Sequence, residues 1–247
     1  MFIRTTCGLF AACVLSLAAP VTFSDSFEGP TFDPFWTVTQ SFGTVSTSTD
    51  LAFSGSQSAK FASSSGGQRS MHLEHTFAEP IKGLFSVRFY DYAPGSETLY
   101  MSFGLTNSSQ PSWNTDVGAK DFDAFCYAAS AAGTGPNGSC GIYPQLSTTT
   151  VARTAGWRLF EINVGGSDIK IYIDGTLVHT ALGDFSFDGV SLNVFGPSWR
   201  PNTLVYFDDF SVDGYTASQV PEPGTLSSLA LGAAALAALR RRRNRRH

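Results

Sequence analysis

Between Leu84 and Tyr92 the chain alternates. Phe85, Val87 and Phe89 fall on one side of an extended backbone, and Ser86, Arg88 and Tyr90 fall on the other, because successive strand side chains point to opposite faces. The same period of two runs through Ile169, Ile171 and Ile173, separated by Lys170 and Tyr172. Helical spacing is nearly absent between residues 22 and 214. A strand with one apolar face must bury it, and a body without helices has only a second sheet to bury it against. Further strands are predicted at Gln57–Ser63, Ser70–Phe77, Thr98–Thr106, Ala124–Ala129, Trp157–Val164, Thr176–Thr180, Ser191–Phe195 and Leu204–Val212. Asp174-Gly175 between two such runs marks a type I′ hairpin. With 247 residues and 21 phenylalanines the chain can bury one sizeable core. The expected fold is all-β, an antiparallel sandwich over residues 22–214, with Trp157 and most of the phenylalanines in its interior.

The two ends are built differently. Residues 1–18 read as a signal peptide. Arg4 gives a positive start, Cys7–Ala19 is apolar, and Ser16 and Ala18 are small residues before a cut. At the other end, residues 215–223 form a Pro-containing linker. Gly224–Leu239 then runs 16 residues without a charge. As a helix it is about 24 Å long, against a hydrocarbon core of about 30 Å, and it is expected to be a single transmembrane helix. Pro221 and Pro223 stop that helix from extending upstream. Residues 240–247 carry six arginines, which stay on the cytoplasmic side. The body is thereby held outside the inner membrane.

Val220-Pro221-Glu222-Pro223-Gly224, the apolar run, and then Arg240, Arg241, Arg242 and Arg243 followed by Arg245 and Arg246 together resemble the PEP-CTERM sorting signal of Gram-negative bacteria. The resemblance covers about 28 residues. It implies that an exosortase-type membrane transpeptidase recognises the tail, cuts near the motif and passes the body to the cell surface or matrix. In that family such tails often accompany exopolysaccharide and biofilm systems.

Charge narrows the partners. All 20 acidic residues lie between Ala19 and Leu239 with nine of the 16 basic ones, so this stretch carries −11. Phosphate binding needs a basic face, so nucleic acid is not an expected partner. Once a signal peptide is removed, Cys126 and Cys140 are the remaining cysteines. In an exported chain they are expected to pair, the alternative being two buried thiols.

The stretch from Ser54 to Phe61, the hairpin around Asp174-Gly175, and Tyr206-Phe207-Asp208-Asp209-Phe210 resemble the concanavalin A-like jelly roll and its laminin-G-like relatives. Three kinds of site come into question. Carbohydrate-binding modules of this shape carry a structural calcium. Here Glu28, Asp209, Asp25 and Asp208, with backbone carbonyls near Gly55, would supply the oxygens such an ion takes. A glycan face would draw on Trp113, Trp199, Arg200, Tyr92 and Arg88, since aromatic faces stack on sugars and flanking polar groups bind hydroxyls. Catalysis has no motif to support it. The six glutamates, at 28, 74, 79, 97, 161 and 222, do not form the E-x-D-x-x-E strand of jelly-roll glucanases. Asp121 and Asp123 form a pair on one face. His72 and His75 point to opposite faces of a strand and are no zinc pair. No catalytic residue is assigned. The expectation is a non-enzymatic exported protein of the cell surface or biofilm matrix that binds polysaccharide. The alternatives are a structural or adhesion protein without glycan binding, and a glycan-active hydrolase.

Overall fold

A computed structural model describes residues 19–64, 66–92, 100–109, 113–120, 124–131, 147–196, 198 and 204–217. The predicted signal peptide, the sorting motif with its apolar run and arginines, Trp199, Arg200 and Cys140 lie outside the described residues. Among the described residues no helix is long and apolar enough to cross a membrane.

Pro20–Ala217 is one compact unit, and its described residues form fourteen antiparallel strands. They are β1 (Pro20–Asp25), β2 (Thr37–Ser41), β3 (Gly43–Ser48), β4 (Ser58–Ser63), β5 (Arg69–Asp91), β6 (Tyr100–Thr106), β7 (Trp113–Lys120), β8 (Ala124–Ala131), β9 (Ser147–Ala152), β10 (Gly156–Val164), β11 (Asp168–Ile173), β12 (Thr176–Leu182), β13 (Phe187–Gly196) and β14 (Leu204–Thr216). The long strand β5 belongs to both layers of the sandwich. Its first half pairs with β2 and β13, and β13 continues through β6, β7, β8 and β9. Its second half pairs with β10 and β14. That layer extends through β11 and β12 on one side and through β4 and β3 on the other.

The sequence predicts two strands, Ser70–Phe77 and Leu84–Tyr92, where β5 is one continuous strand through Pro80. The pairing of β5 with β13 skips from Thr76 to Ile81. Pro80, which has no N–H to donate, therefore falls where that ladder is already open. Just beyond, Gly83 has φ +141° and its Cα face lies against the backbone of Asp213 and Gly214. Only glycine combines that dihedral with that approach.

Alternation does what the sequence predicts. Met71 and Leu73, Phe85, Val87 and Phe89, Phe160 and Ile162, and Ile169, Ile171 and Ile173 are all fully buried. The hairpin turn has Asp174 at φ 49° and Gly175 at φ 74°, the two positive values of a type I′ turn. Of the strands the sequence does not announce, β1, β2, β3 and β9 are short and lie at edges, whereas β7 is an eight-residue strand paired on both sides, with β6 and β8. Every residue of β2 is exposed, so it has no apolar face to read.

Candidate functional site

The first and last strands are neighbours, as a jelly roll requires. Phe23 lies opposite Val212, and Asp25 opposite Phe210. A bulge interrupts β14. Asp208 pairs with Arg88 and Ser211 with Ser86, so three steps on β14 match two on β5. Asp209 is the extra residue, with φ 46°. The bulge lets Val205 and Phe207, then Phe210 and Val212, all point into the core. It also turns the carboxylates of Asp208 and Asp209 toward the turn at residues 53–57.

That turn is clamped from both ends of the chain. Asp208 Oδ2 accepts the N–H of Phe53 at 2.7 Å and of Ser54 at 3.1 Å. Its Oδ1 accepts the N–H of Asp209 at 2.8 Å. Ser54 Oγ donates to Asp209 Oδ1 at 2.6 Å. Glu28 receives the N–H and Oγ–H of Ser56 and the N–H of Gln57 at 2.8–3.0 Å. Gln57 Nε2 returns a bond to the Glu28 carbonyl at 2.8 Å. These amides hold the Glu28 carboxyl below the usual glutamate range. Burial pushes the Asp208 carboxyl up. Asp25 goes elsewhere: it caps the Phe27 N–H at 2.7 Å and accepts Trp36 Nε1–H at 2.9 Å, inside an aromatic cluster with Phe23 and Phe35. Among the described residues no three His, Cys, Asp or Glu side chains gather closely enough to hold a metal. Three of the four residues predicted for calcium thus meet at one turn, and the fourth does not.

Beside the clamp, outside the second layer, lies a row of rings. Phe53 contacts Trp157 at 5.9 Å between centroids, Trp157 contacts Tyr90 at 5.6 Å, and Tyr90 contacts Tyr92 at 5.0 Å. The register explains the row, since Trp157 sits opposite Tyr90 on adjacent strands. Arg88 lies over the Phe53 ring at 3.8 Å, a cation–π distance, with its Nε 4.0 Å from Asp209 Oδ2. Phe53 is 44% exposed and Tyr92 37%. Partial burial pushes the Tyr92 phenol up to about 12. Two of the five predicted glycan residues, Arg88 and Tyr92, are therefore in one surface row. Trp157, expected in the core, is a correction. It is only half-buried, because even-numbered residues on β5 and their cross-strand partners face outward. The side chain of Trp113, like Trp199 and Arg200, lies outside the described residues. Cys126 is disulfide-bonded.

The other layer presents a polar outer face that sequence reasoning missed. It comprises Ser70, His72 and Glu74 of β5, Ser191 and Asn193 of β13, Ser102 of β6 and Asp116 of β7, aligned by register. His72 Nδ1 lies 2.7 Å from Asn193 Oδ1, and Ser102 Oγ donates to Asp116 Oδ1 at 3.3 Å. Burial pushes the Asp116 carboxyl up to about 6. Each residue sits on an alternating run, but only strand pairing brings the runs together.

Residues 219–243 match the model of the PEP-CTERM protein-sorting motif. This chain carries that sorting signal. It implies export, membrane-associated sorting in Gram-negative bacteria and processing by an exosortase membrane enzyme. No curated protein sequence matches the chain closely enough to count as a relative. Solved structures share its fold. "Cellulose induced protein, Cip1" is 20% identical with a TM-score of 0.53, over 76% of this chain and 95% of that one. The laminarinase catalytic domain from Thermotoga maritima is 15% identical with a TM-score of 0.53, over 81% and 98%. A GlcNAcα1-4Gal-releasing endo-β-galactosidase from Clostridium perfringens is 15% identical with a TM-score of 0.55, over 86% and 66%. The body is thus a β-sandwich of the concanavalin A-like jelly-roll type, and at these identities the likeness concerns the fold alone.

Proposed function

We propose that the sandwich binds polysaccharide at the cell surface or in a biofilm matrix, after delivery by a signal peptide and anchoring of the C-terminal apolar helix until an exosortase acts. The observation that carries this reading is the row Phe53–Trp157–Tyr90–Tyr92 with Arg88 beside it. Ring faces in series offer stacking platforms to successive sugars, and the guanidinium supplies hydrogen-bond donors to their hydroxyls. Ring faces and a guanidinium are the groups of a binding surface, and the reading is of binding.

The clamp sets the row. The backbone of Phe53 is held by Asp208, and Arg88 reaches Asp209. Calcium does not fit the clamp in this structure: Glu28, Asp208 and Asp209 direct their oxygens to N–H and O–H donors of the turn and do not gather closely enough to share an ion. Hydrogen bonds alone close the turn that carries Phe53. A glycan array probed with the full-length chain, with and without calcium, tests the reading. Selective binding supports it, and binding that persists under chelation is the result a clamp without an ion predicts. A blank array under both conditions removes the binding function.

One observation favours a structural role instead. Strand β12 ends the strand order with Leu177 50% and Leu182 83% exposed, and an exposed edge can pair with another copy. Concentration-dependent assembly of a chain that binds no glycan would select that reading.

A further inference from the structure

We propose that Ser70, His72 and Asn193 form an acyl-transfer site for carboxylic esters on the polar outer face of the first layer. Met71 and Leu73 are fully buried, so alternation turns Ser70, His72 and Glu74 outward on β5. Asn193 lies directly opposite His72 on β13. Ser70 Oγ is 2.5 Å from His72 Nε2, and His72 Nδ1 is 2.7 Å from Asn193 Oδ1. A hydroxyl, a base in hydrogen-bond reach, and a third group orienting the base are the parts of an activated nucleophile. Such sets are recognised by geometry, not by position in the sequence.

The hydrogen-bond network assigns the proton positions. Asn193 Nδ2 donates to Ser191 Oγ at 2.9 Å and to Ser102 Oγ at 3.3 Å. Ser102 in turn donates to Asp116. The amide nitrogen of Asn193 is thereby committed to that side, and its oxygen faces His72. An amide oxygen only accepts, so His72 carries its proton on Nδ1. The Nε2 lone pair is left facing the Ser70 hydroxyl. Glu74 Oε1, 3.9 Å from Nδ1, places negative charge where imidazolium charge develops. The imidazole is 12% exposed, with the Phe195 ring edge-on at 4.8 Å. On the other side β2 sets Ser41 opposite Ser70 and Thr39 opposite His72. Cross-strand Cβ atoms lie about 4.5–5.5 Å apart, so these hydroxyls can donate to an oxyanion formed at Ser70.

In the acylation step the Ser70 O–H bond breaks and its proton passes to His72 Nε2. A bond forms from Oγ to the ester carbonyl carbon, whose oxygen takes the negative charge. Collapse breaks the C–O bond to the alcohol, which leaves with the proton from Nε2. Water then adds by the same route, releases the carboxylic acid and restores Ser70. The substrate class is an ester that can lie along the strand face. The site is on the opposite layer from the aromatic row and does not depend on polysaccharide binding.

The test is covalent labelling of the full-length chain with a fluorophosphonate, alongside hydrolysis of p-nitrophenyl acetate. The wild type is expected to label on Ser70 and to hydrolyse the ester. Ser70→Ala loses labelling by about 100-fold or more. Asn193→Leu loses about 10-fold or more, whereas Asn193→Asp, which still accepts the Nδ1 proton, retains reactivity. Melting temperatures of all variants identify any that fail to fold, and rescue by aspartate separates positioning from simple structural support. An unlabelled wild type, equal labelling of Ser70→Ala, or a folded Asn193→Leu that labels like the wild type overturns the proposal.

Discussion

Gly55 holds φ +59°, and a Cβ there would fall inside the Glu28 carboxylate. Both the dihedral and the contact oppose any side chain. Gly55→Ala should therefore lower stability by about 1–3 kcal/mol, read by denaturant titration, and a neutral result would mean that the turn is not clamped. Glu28 itself gives a pH signature. Its carboxyl titrates lower in the folded chain than in the unfolded one. The stability it contributes is thus complete above the ordinary glutamate range and is lost as pH falls through the folded value. Glu28→Gln should melt below the wild type at pH 7, and the two curves should converge on acidification. At this scale the sequence is informative about chemistry and silent about partners. Glu28, Asp208 and Asp209 can be chosen as oxygen donors from their types and positions near the ends of the body. Asp25 looks equivalent, yet Trp36 Nε1 and the Phe27 amide take its carboxylate, and nothing in the order of residues announces that.

Strands with one clean apolar face are legible, and strands without one are not. Phe85, Val87 and Phe89, and the three isoleucines of β11, declare their faces by period alone. β2 has no buried residue and is held by its ladder to β5 and by Gln40 Oε1, which accepts the Val45 N–H of β3 at 2.8 Å. The unity of β5 is hidden for a different reason: a proline within a strand ordinarily ends it, and only the gap in the β13 ladder makes Pro80 harmless. The polar face around His72 is hidden because cross-strand register is a property of the folded sheet. Gly83 tests the element most directly. It is the point where β5 pairs opposite Gly214 of β14, with the Asp213 and Gly214 backbone against its Cα. Gly83→Ala must either clash with Asp213 and Gly214 or open the ladder between the two strands, and should cost more than about 3 kcal/mol. A melting temperature within about two degrees of the wild type would show that the two strands separate there without penalty.

The molecule combines two messages of different clarity. The C-terminal motif, from Val220 to the arginines, addresses the chain to the sorting machinery and is readable from a few residues because the processing enzyme reads the same short motif. The body is a jelly roll, and that fold hosts many functions, so its function resides in side chains gathered from distant positions. The register of β10 on β5 brings Trp157 to Tyr90 and Tyr92, and a bulge in β14 aims Asp208 at the turn that adds Phe53 beside Arg88. That assembly makes one continuous aromatic surface. Its most direct measurement is the affinity of the full-length chain for isolated bacterial exopolysaccharides, by affinity electrophoresis, for the wild type, Trp157→Ala and Arg88→Ala. A surface row predicts that both variants fold, melt near the wild type and lose affinity by about 10-fold or more. Unchanged mobility shifts in two folded variants would contradict it and would remove the row from the protein's function.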